Sequence, residues 1–224
     1  MKKGFCFLLS AFFLASCAPT VATATPETIA VQSTAAAVPW LADLYICGGN
    51  DVIRVELRVA GYFDLNSTIL VMRIGQPVSL TYSAYQIGTD DLLVIVNRQN
   101  PTNKLTADQV RGLFTGQIQT WKVINGTDTS VQVWVFSANE DVQQIFDQTA
   151  LGGSPVTSTA RLANSPDEMS QAVANDVNAI GVLTRHWKTE NVSDVFTVTS
   201  VPVLAITSSE PQGASARILA CLQK

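Results

Sequence analysis

The sequence has few of the residues that build metal centres, and it has little charge of either sign. It contains one histidine, His186, and only 14% of its 224 residues are charged. Because protein zinc sites group several Cys and His ligands, we expect no metal, and we interpret His186 as a surface or packing residue. A nucleophile elbow, a Walker motif and a Rossmann glycine pattern are also missing. We therefore expect no catalytic residues and no cofactor.

The chain has fewer basic than acidic residues. Removing Lys2 and Lys3 with an amino-terminal leader leaves 12 of the 14 basic residues against 18 acidic ones, a net charge of −6. Nucleic-acid binding needs a basic surface, and docking on anionic lipid needs clustered Lys or Arg. The balance therefore argues against both partners. The hydrophobic fraction of 47% is enough for a sizeable core.

The amino-terminal hydrophobic run, residues 5–14, is too short to span about 30 Å of hydrocarbon. With the two lysines before it, it indicates a signal peptide over residues 1–16. The ending Leu-Ala-Ser-Cys resembles the bacterial lipobox, which implies lipid on Cys17. An ordinary secretory signal with an incidental cysteine is the alternative. Residues 17–39, rich in Ala, Thr and Pro, are predicted to be a flexible tether. The expected location is extracytoplasmic, at the periplasm or cell surface, on a membrane anchor.

Cys47 and Cys221 remain near the two ends of the folded region. An even leftover pair in an exported protein suggests a disulfide. Two buried free thiols are the alternative.

Short apolar runs alternate with helical patterns, which predicts an α/β fold. The best local signature is Thr106 with Gln109 three residues later, the spacing of a helix capping box. Strands are predicted at 44–47, 67–74, 92–96, 131–136, 179–183, 195–198 and 203–206, and further helices at 51–60, 141–151, 165–174 and 213–222.

Three blocks of sequence resemble the phosphate-type substrate-binding proteins of ABC transporters. They are residues 92–97 followed by Pro101, residues 105–121 with their Leu-Thr, Phe-Thr-Gly-Gln-Ile and Trp elements, and Ala-Ile-Gly-Val-Leu at 179–183. The resemblance implies a two-lobed periplasmic-binding-protein-like fold of type 2, each lobe a mixed sheet flanked by helices. Lobe I is expected to be residues 40–90 plus 188–224, and lobe II residues 91–187.

The function implied by the resemblance is solute binding by lobe closure. The chain would be a monomer that carries a small solute, an oxyanion or another small molecule, to an ABC permease, with no chemistry of its own. A sensor or adaptor that keeps the fold without transport is the alternative. An enzyme is a third possibility that no motif supports.

In lobe I, the candidate ligand-binding residues are weakly specified. Gly48, Gly49 and Asn50 fit a backbone cradle for an anion, although a plain turn needs glycine just as much. The hydroxyls of Ser67 and Thr68, or else Asp64, are the next candidates, with Arg73 as a possible cationic contact.

In lobe II, the sequence departs from the family pattern. Phe136 stands where the family has arginine, and residues 139–142 replace its Gly-Ser-Gly-Thr. Ser137, Asn139 and Glu140 remain as candidate contacts. Glu140 and Asp141 would face a dianion, and like charges 4 Å apart cost about 4 kcal/mol at an effective dielectric near 20. We therefore expect a degenerate anion site, unless both acids only start a helix.

Overall fold

The computed structural model describes residues 25–77 and 81–224, so the leader, Cys17 and the first residues of the proposed tether, up to residue 24, lie outside it. One eight-stranded mixed sheet, in the order β2-β1-β3-β8-β4-β7-β5-β6, carries helices on its faces. Within the described ranges, none of the helices is long and apolar enough to cross a membrane. The strands are β1 (Thr28–Ser33), β2 (Val52–Leu57), β3 (Leu70–Ile74), β4 (Ser83–Asn97), β5 (Gln132–Val135), β6 (Arg161–Leu162), β7 (Ala179–Thr184) and β8 (Val192–Thr207), and the helices are α1 (Leu41–Gly48), α2 (Ala107–Phe114), α3 (Asp141–Thr149), α4 (Pro166–Asn175) and α5 (Gly213–Leu222).

Two long antiparallel strands, β4 and β8, run through both halves of the sheet. Their outer part lies beside β3, where Ala84 pairs with Ile206 and Met72 with Ala205. The other part of β4 pairs with β7, beside β5 and β6. The chain thus passes twice between a half built on β1–β3 and a half built on β5–β7. This arrangement confirms the predicted two-lobed α/β class.

The return crossing lies inside β8 and not at residue 188, where the sequence boundary was placed. From Val192 onward β8 is already paired with the lobe II part of β4, opposite Asn97. It reaches lobe I only near Val203, which pairs with Ile74 of β3. The strand is continuous because a long antiparallel partner satisfies its backbone across both lobes.

The folded domain begins earlier than predicted, and the tether boundary at residue 39 is wrong. Strand β1 lies between β2 and β3 and runs parallel to both. Its Ile29 and Val31 are 2% and 1% exposed, and a 3-10 turn, Ala35–Trp40, follows it into the core. The β-branched Thr28, Ile29 and Val31 favour a strand, and the position of β1 inside the sheet buries Ile29 and Val31.

For two neighbouring segments the secondary structure is the opposite of the sequence prediction, with a helix in place of a strand and a strand in place of a helix. Residues 44–47 belong to helix α1, with Leu44 fully buried and Ile46 exposed, as expected for one helical face against the core. Residues 52–57 form the edge strand β2 instead of a helix. Short apolar runs are ambiguous between the two states.

The predicted cap of α2 is confirmed. The Gln109 N–H donates to Thr106 Oγ1 at 3.2 Å, and the Thr106 N–H donates to Gln109 Oε1 at 2.8 Å. Helix α2 then buries Phe114, whose ring packs edge-on against Phe146 of α3 at a centroid distance of 4.6 Å. Helix α5 spans the predicted residues 213–222.

A disulfide joins the ends of α1 and α5. The Cα atoms of Cys47 and Cys221 are 5.7 Å apart, within the usual range for such bridges. The two helices pack side by side in lobe I through buried residues that include Leu44 and Ile218. The bridge therefore fastens a contact that apolar packing already makes.

Candidate functional site

A cleft separates the two lobes at the carboxyl ends of β1, β3, β5 and β6. Ligands of open α/β sheets bind at such edges. The pocket at the centre of the cleft leaves about 10 Å³ free, about the space of one water. Its lining combines the turn after β1 with the starts of α3 and α4: Ala35, Ala36, Phe136, Glu140, Asp141, Val142, Asn164, Ser165 and Pro166.

Asp141 bridges the cleft. It is the first residue of α3 in lobe II and is 1% exposed. Its Oδ2 accepts a hydrogen bond from the backbone N–H of Ile74, at the end of β3 in lobe I, at 2.9 Å. Its Oδ1 accepts from the N–H of Val142 at 2.9 Å. A carboxylate at a helix start is favoured by the dipole, and here it also joins the two lobes.

Asp141 and the buried Arg73 influence each other electrostatically. Burial raises the pKa of Asp141, while the Thr34 hydroxyl, the Ile74 N–H and the Arg73 guanidinium act to lower it. Arg73 lies on β3 and is 4% exposed. Burial lowers the pKa of Arg73, and the Asp141 charge opposes that shift. Each group thus offsets part of the desolvation cost of the other.

Glu140 adds a second acid to the same wall. It precedes α3 as its N-cap residue and is half-buried in the cleft. Burial, and then the charge of Asp141, raise the pKa of Glu140 to about 7. Lobe II therefore presents to the cleft a carboxyl group whose pKa lies near neutral pH.

Phe136 gives the cleft an apolar wall. It follows β5, is 4% exposed, and its N–H donates to Gln143 Oε1 at 2.9 Å. An aromatic ring therefore stands where the sequence resemblance places a guanidinium. This position supplies no charge-assisted hydrogen bond to a solute.

Lobe I approaches the cleft through the turn after β1, which sequence reasoning assigned to the tether and so missed. Thr34 is fully buried there, and its hydroxyl has no well-formed hydrogen bond among the described residues. Its N–H donates to the Met72 carbonyl at 3.0 Å. Alternation in Ile-Ala-Val followed by Ser-Thr was the available signal of a strand and a polar turn.

Among the predicted site residues, Glu140 lines the pocket at the centre of the cleft. Arg73 is buried on β3 and lines a separate pocket of lobe I with residues that include Phe63 and Tyr82. Asn139 lies at its rim, where its Nδ2 donates to the hydroxyl of Tyr62 in lobe I at 3.3 Å. Ser137 is exposed on the loop before α3, and its carbonyl accepts from the Glu140 N–H.

Gly48, Gly49 and Asn50, the residues of the predicted cradle, do not line the pocket at the centre of the cleft. These residues end helix α1, and Gly49 adopts a φ of 58° to close it. The carboxyl end of a helix presents carbonyl groups and negative partial charge, which disfavours an anion.

The other predicted contacts from lobe I, Ser67, Thr68 and Asp64, all precede β3, whose carboxyl end lies at the cleft, and none of the three lines the central pocket. The Thr68 hydroxyl donates to the carbonyl oxygens of Ala30 and Leu70, and the Ser67 hydroxyl donates to the carbonyl of Asp64. These side chains complete the turn into the strand.

His186 takes part in packing at the crossing strands. Its Nδ1 lies 3.1 Å from the Oδ2 of buried Asp90, and its ring lies 4.3 Å from that of Trp40. Within residues 25–77 and 81–224, no group of three or more His, Cys, Asp or Glu side chains could hold a metal ion.

Comparison with known proteins supports the architecture. A family model described as the PBP superfamily domain matches residues 79–218. The chain superposes on a putative phosphate ABC transporter substrate-binding protein with bound phosphate from Clostridium perfringens (TM-score 0.79, 17% identity, covering 87% of this chain and 92% of that one). It also superposes on an ABC-type phosphate transport receptor from Vibrio cholerae, with a TM-score of 0.67 and 21% identity, covering 88% of this chain and 93% of that one. The reduced form of the regulatory domain of OxyR2 from Vibrio vulnificus shares the fold as well, with a TM-score of 0.64 and 10% identity, covering 88% of this chain and 93% of that one.

Proposed function

Because the chain belongs to the PBP superfamily, we propose that it is an extracytoplasmic solute-binding protein of an ABC transporter, of the phosphate or oxyanion type by fold, with a degenerate anion site. The observation that carries this proposal is the interlobe cleft. It lies where β4 and β8 pass between the lobes and where the starts of α3 and α4 face the turn after β1. Such a geometry suits closure over a small solute.

The degenerate character rests on three side chains. Phe136 replaces a cation with an apolar ring, and Glu140 and Asp141 place two carboxyl groups at the same wall. A phosphate dianion would meet like charge and few charged donors. The solute we propose is therefore a small molecule other than free phosphate, or an oxyanion bound weakly.

The proposed partners are an ABC permease and a membrane, which the chain would reach through lipid on Cys17. More than one acyl chain gives stable attachment. A monomer is proposed because lobe closure needs only the two lobes of one chain.

A sensor or adaptor without transport is the second candidate. It is favoured by the occupied cleft, where Asp141 already contacts Ile74 of the opposite lobe. The regulatory domain with the same fold shows that this architecture also serves proteins other than transport receptors. A protein that stays closed without a solute would suit recognition by a partner.

A thermal-shift screen against oxyanions and small neutral solutes tests the proposal. A solute at 100 times its Kd adds about 2.7 kcal/mol to the free energy of unfolding. The variant Asn164→Ala, at the cleft, should weaken the response, while Ser67→Ala, outside the central pocket, serves as the control. A screen in which no solute raises Tm would contradict the transport proposal and favour the adaptor.

A further inference from the structure

We propose that Asp141 is a built-in occupant of the anion position, so that the lobes close on a side chain of the protein itself where a free anion would otherwise bind. The anion-type cleft rests on the proposed function. The closure by Asp141 rests on contacts of the structure alone.

The donors around the Asp141 carboxyl group are those that a small anion would use. The Ile74 N–H reaches it from lobe I, and the Val142 N–H reaches it from the start of α3, each at 2.9 Å. The buried Arg73 guanidinium adds positive charge from β3. Backbone N–H groups at a helix start combined with a buried cation make an anion-binding arrangement.

A further donor is present and not fully used. The Thr34 hydroxyl is buried close enough to the carboxyl group to act on its pKa, yet it makes no well-formed hydrogen bond within residues 25–77 and 81–224. Buried polar groups are normally paired. The Thr34 hydroxyl therefore adds a polar group from lobe I to the surroundings of the Asp141 carboxyl group.

The carboxyl group also leaves little space for a solute. About 10 Å³ remains free in the pocket that it lines, roughly the room of one water. At the rim, the Asn139 amide and the Tyr62 hydroxyl make a second contact between the lobes at 3.3 Å. The closed arrangement is therefore complete without an added ligand.

Residue-resolved hydrogen exchange of the full-length chain tests this inference, with phosphate as the probe. The Ile74 amide should be protected in the wild type without any solute. In Asp141→Ala it should exchange at least about tenfold faster, because local opening then exposes it. Asp141→Asn, which keeps the volume and one acceptor oxygen, should lie between the two. The Phe136 amide, bonded to Gln143 within lobe II, should stay protected in all three proteins and thus reports that the variants are folded.

Calorimetric titration with inorganic phosphate then separates this inference from the proposed function. Asp141→Ala should bind phosphate at least about tenfold more tightly than the wild type, because a like charge has been removed from the cleft. The control Asp147→Asn changes an acid farther along the same helix and should bind like the wild type. Faster Ile74 exchange without phosphate binding would support the closure by Asp141 and contradict the anion-type cleft. Unchanged Ile74 exchange in both Asp141 variants, with Phe136 protected, would overturn the inference.

Discussion

The Cys47–Cys221 bridge should make a large contribution to stability. It joins residues separated by 174 positions. In the chain-entropy model, closing a loop of that size lowers the entropy of the unfolded chain enough to add about 5 kcal/mol at 25 °C, and measured losses for native bridges are about 2 to 5 kcal/mol. The free energy of unfolding of the double variant Cys47→Ser, Cys221→Ser should therefore be lower than that of the wild type by an amount in this range.

Urea titration of the double variant and of the wild type, followed by tryptophan fluorescence, measures this loss. For a domain of 150 to 250 residues, 1 kcal/mol corresponds to about 2 to 4 °C in Tm, so the full 5 kcal/mol would lower Tm by about 10 to 20 °C. Wild type reduced with a thiol serves as the control and should match the variant, because both cysteines are only partly buried. A loss of unfolding free energy below about 1 kcal/mol would refute the entropic reasoning. It would mean that the packing of α1 against α5 stabilises this part of lobe I without the bridge.

Three further predictions concern the cleft, a helix cap and the anchor. Because burial raises the pKa of Glu140 from 4.5 to about 7, the folded state holds this proton more tightly than the unfolded chain. Its contribution to stability is present below pH 4.5 and is lost as the pH rises through 7. The denaturant midpoint of the wild type should therefore decrease as the pH rises across that range, and the midpoint of Glu140→Gln should decrease less. Thr106→Ala should cost about 1 kcal/mol through loss of the capping box, whereas Thr127→Ala, at an exposed loop position, should leave the urea midpoint unchanged. Cys17→Ser should abolish incorporation of labelled fatty acid and release the protein from the membrane fraction; a variant that still pellets with membranes, beside a wild type without label, would contradict the anchor.

Local signals predicted the second half of the chain well. The Thr106–Gln109 cap, the continuous apolar run of β7 and the Ser165-Pro166 start of α4 each specify an element through neighbouring residues. These signals do not depend on which part of the chain packs against them. They therefore gave correct elements, and through them the fold class.

The first part of the chain depended on tertiary context. Strand β1 is rich in small and polar residues, and only its place between β2 and β3 buries Ile29 and Val31. When β1 is assigned to the tether, the next apolar segment, at residues 44–47 of α1, is predicted to be the first strand. The glycines after it are then predicted to form the anion-binding turn, and the turn at Thr34 is not recognised.

The candidate site was predicted in lobe II and only partly in lobe I. The replacement of an arginine by Phe136 and the acids at the start of α3 could be recognised from sequence. The partner of Asp141 could not be, because the Ile74 N–H is a backbone group 67 residues away. A backbone donor leaves no mark in residue identity, so only the fold shows that it meets a carboxyl group from the other lobe.

A crystal structure of the wild-type protein grown in concentrated phosphate tests the central claim most directly. The degenerate site predicts that Asp141 Oδ2 keeps its hydrogen bond to the Ile74 N–H, with no phosphate between the lobes. A phosphate ion in the cleft, contacting the Ile74 N–H and displacing the Asp141 side chain, would contradict the account.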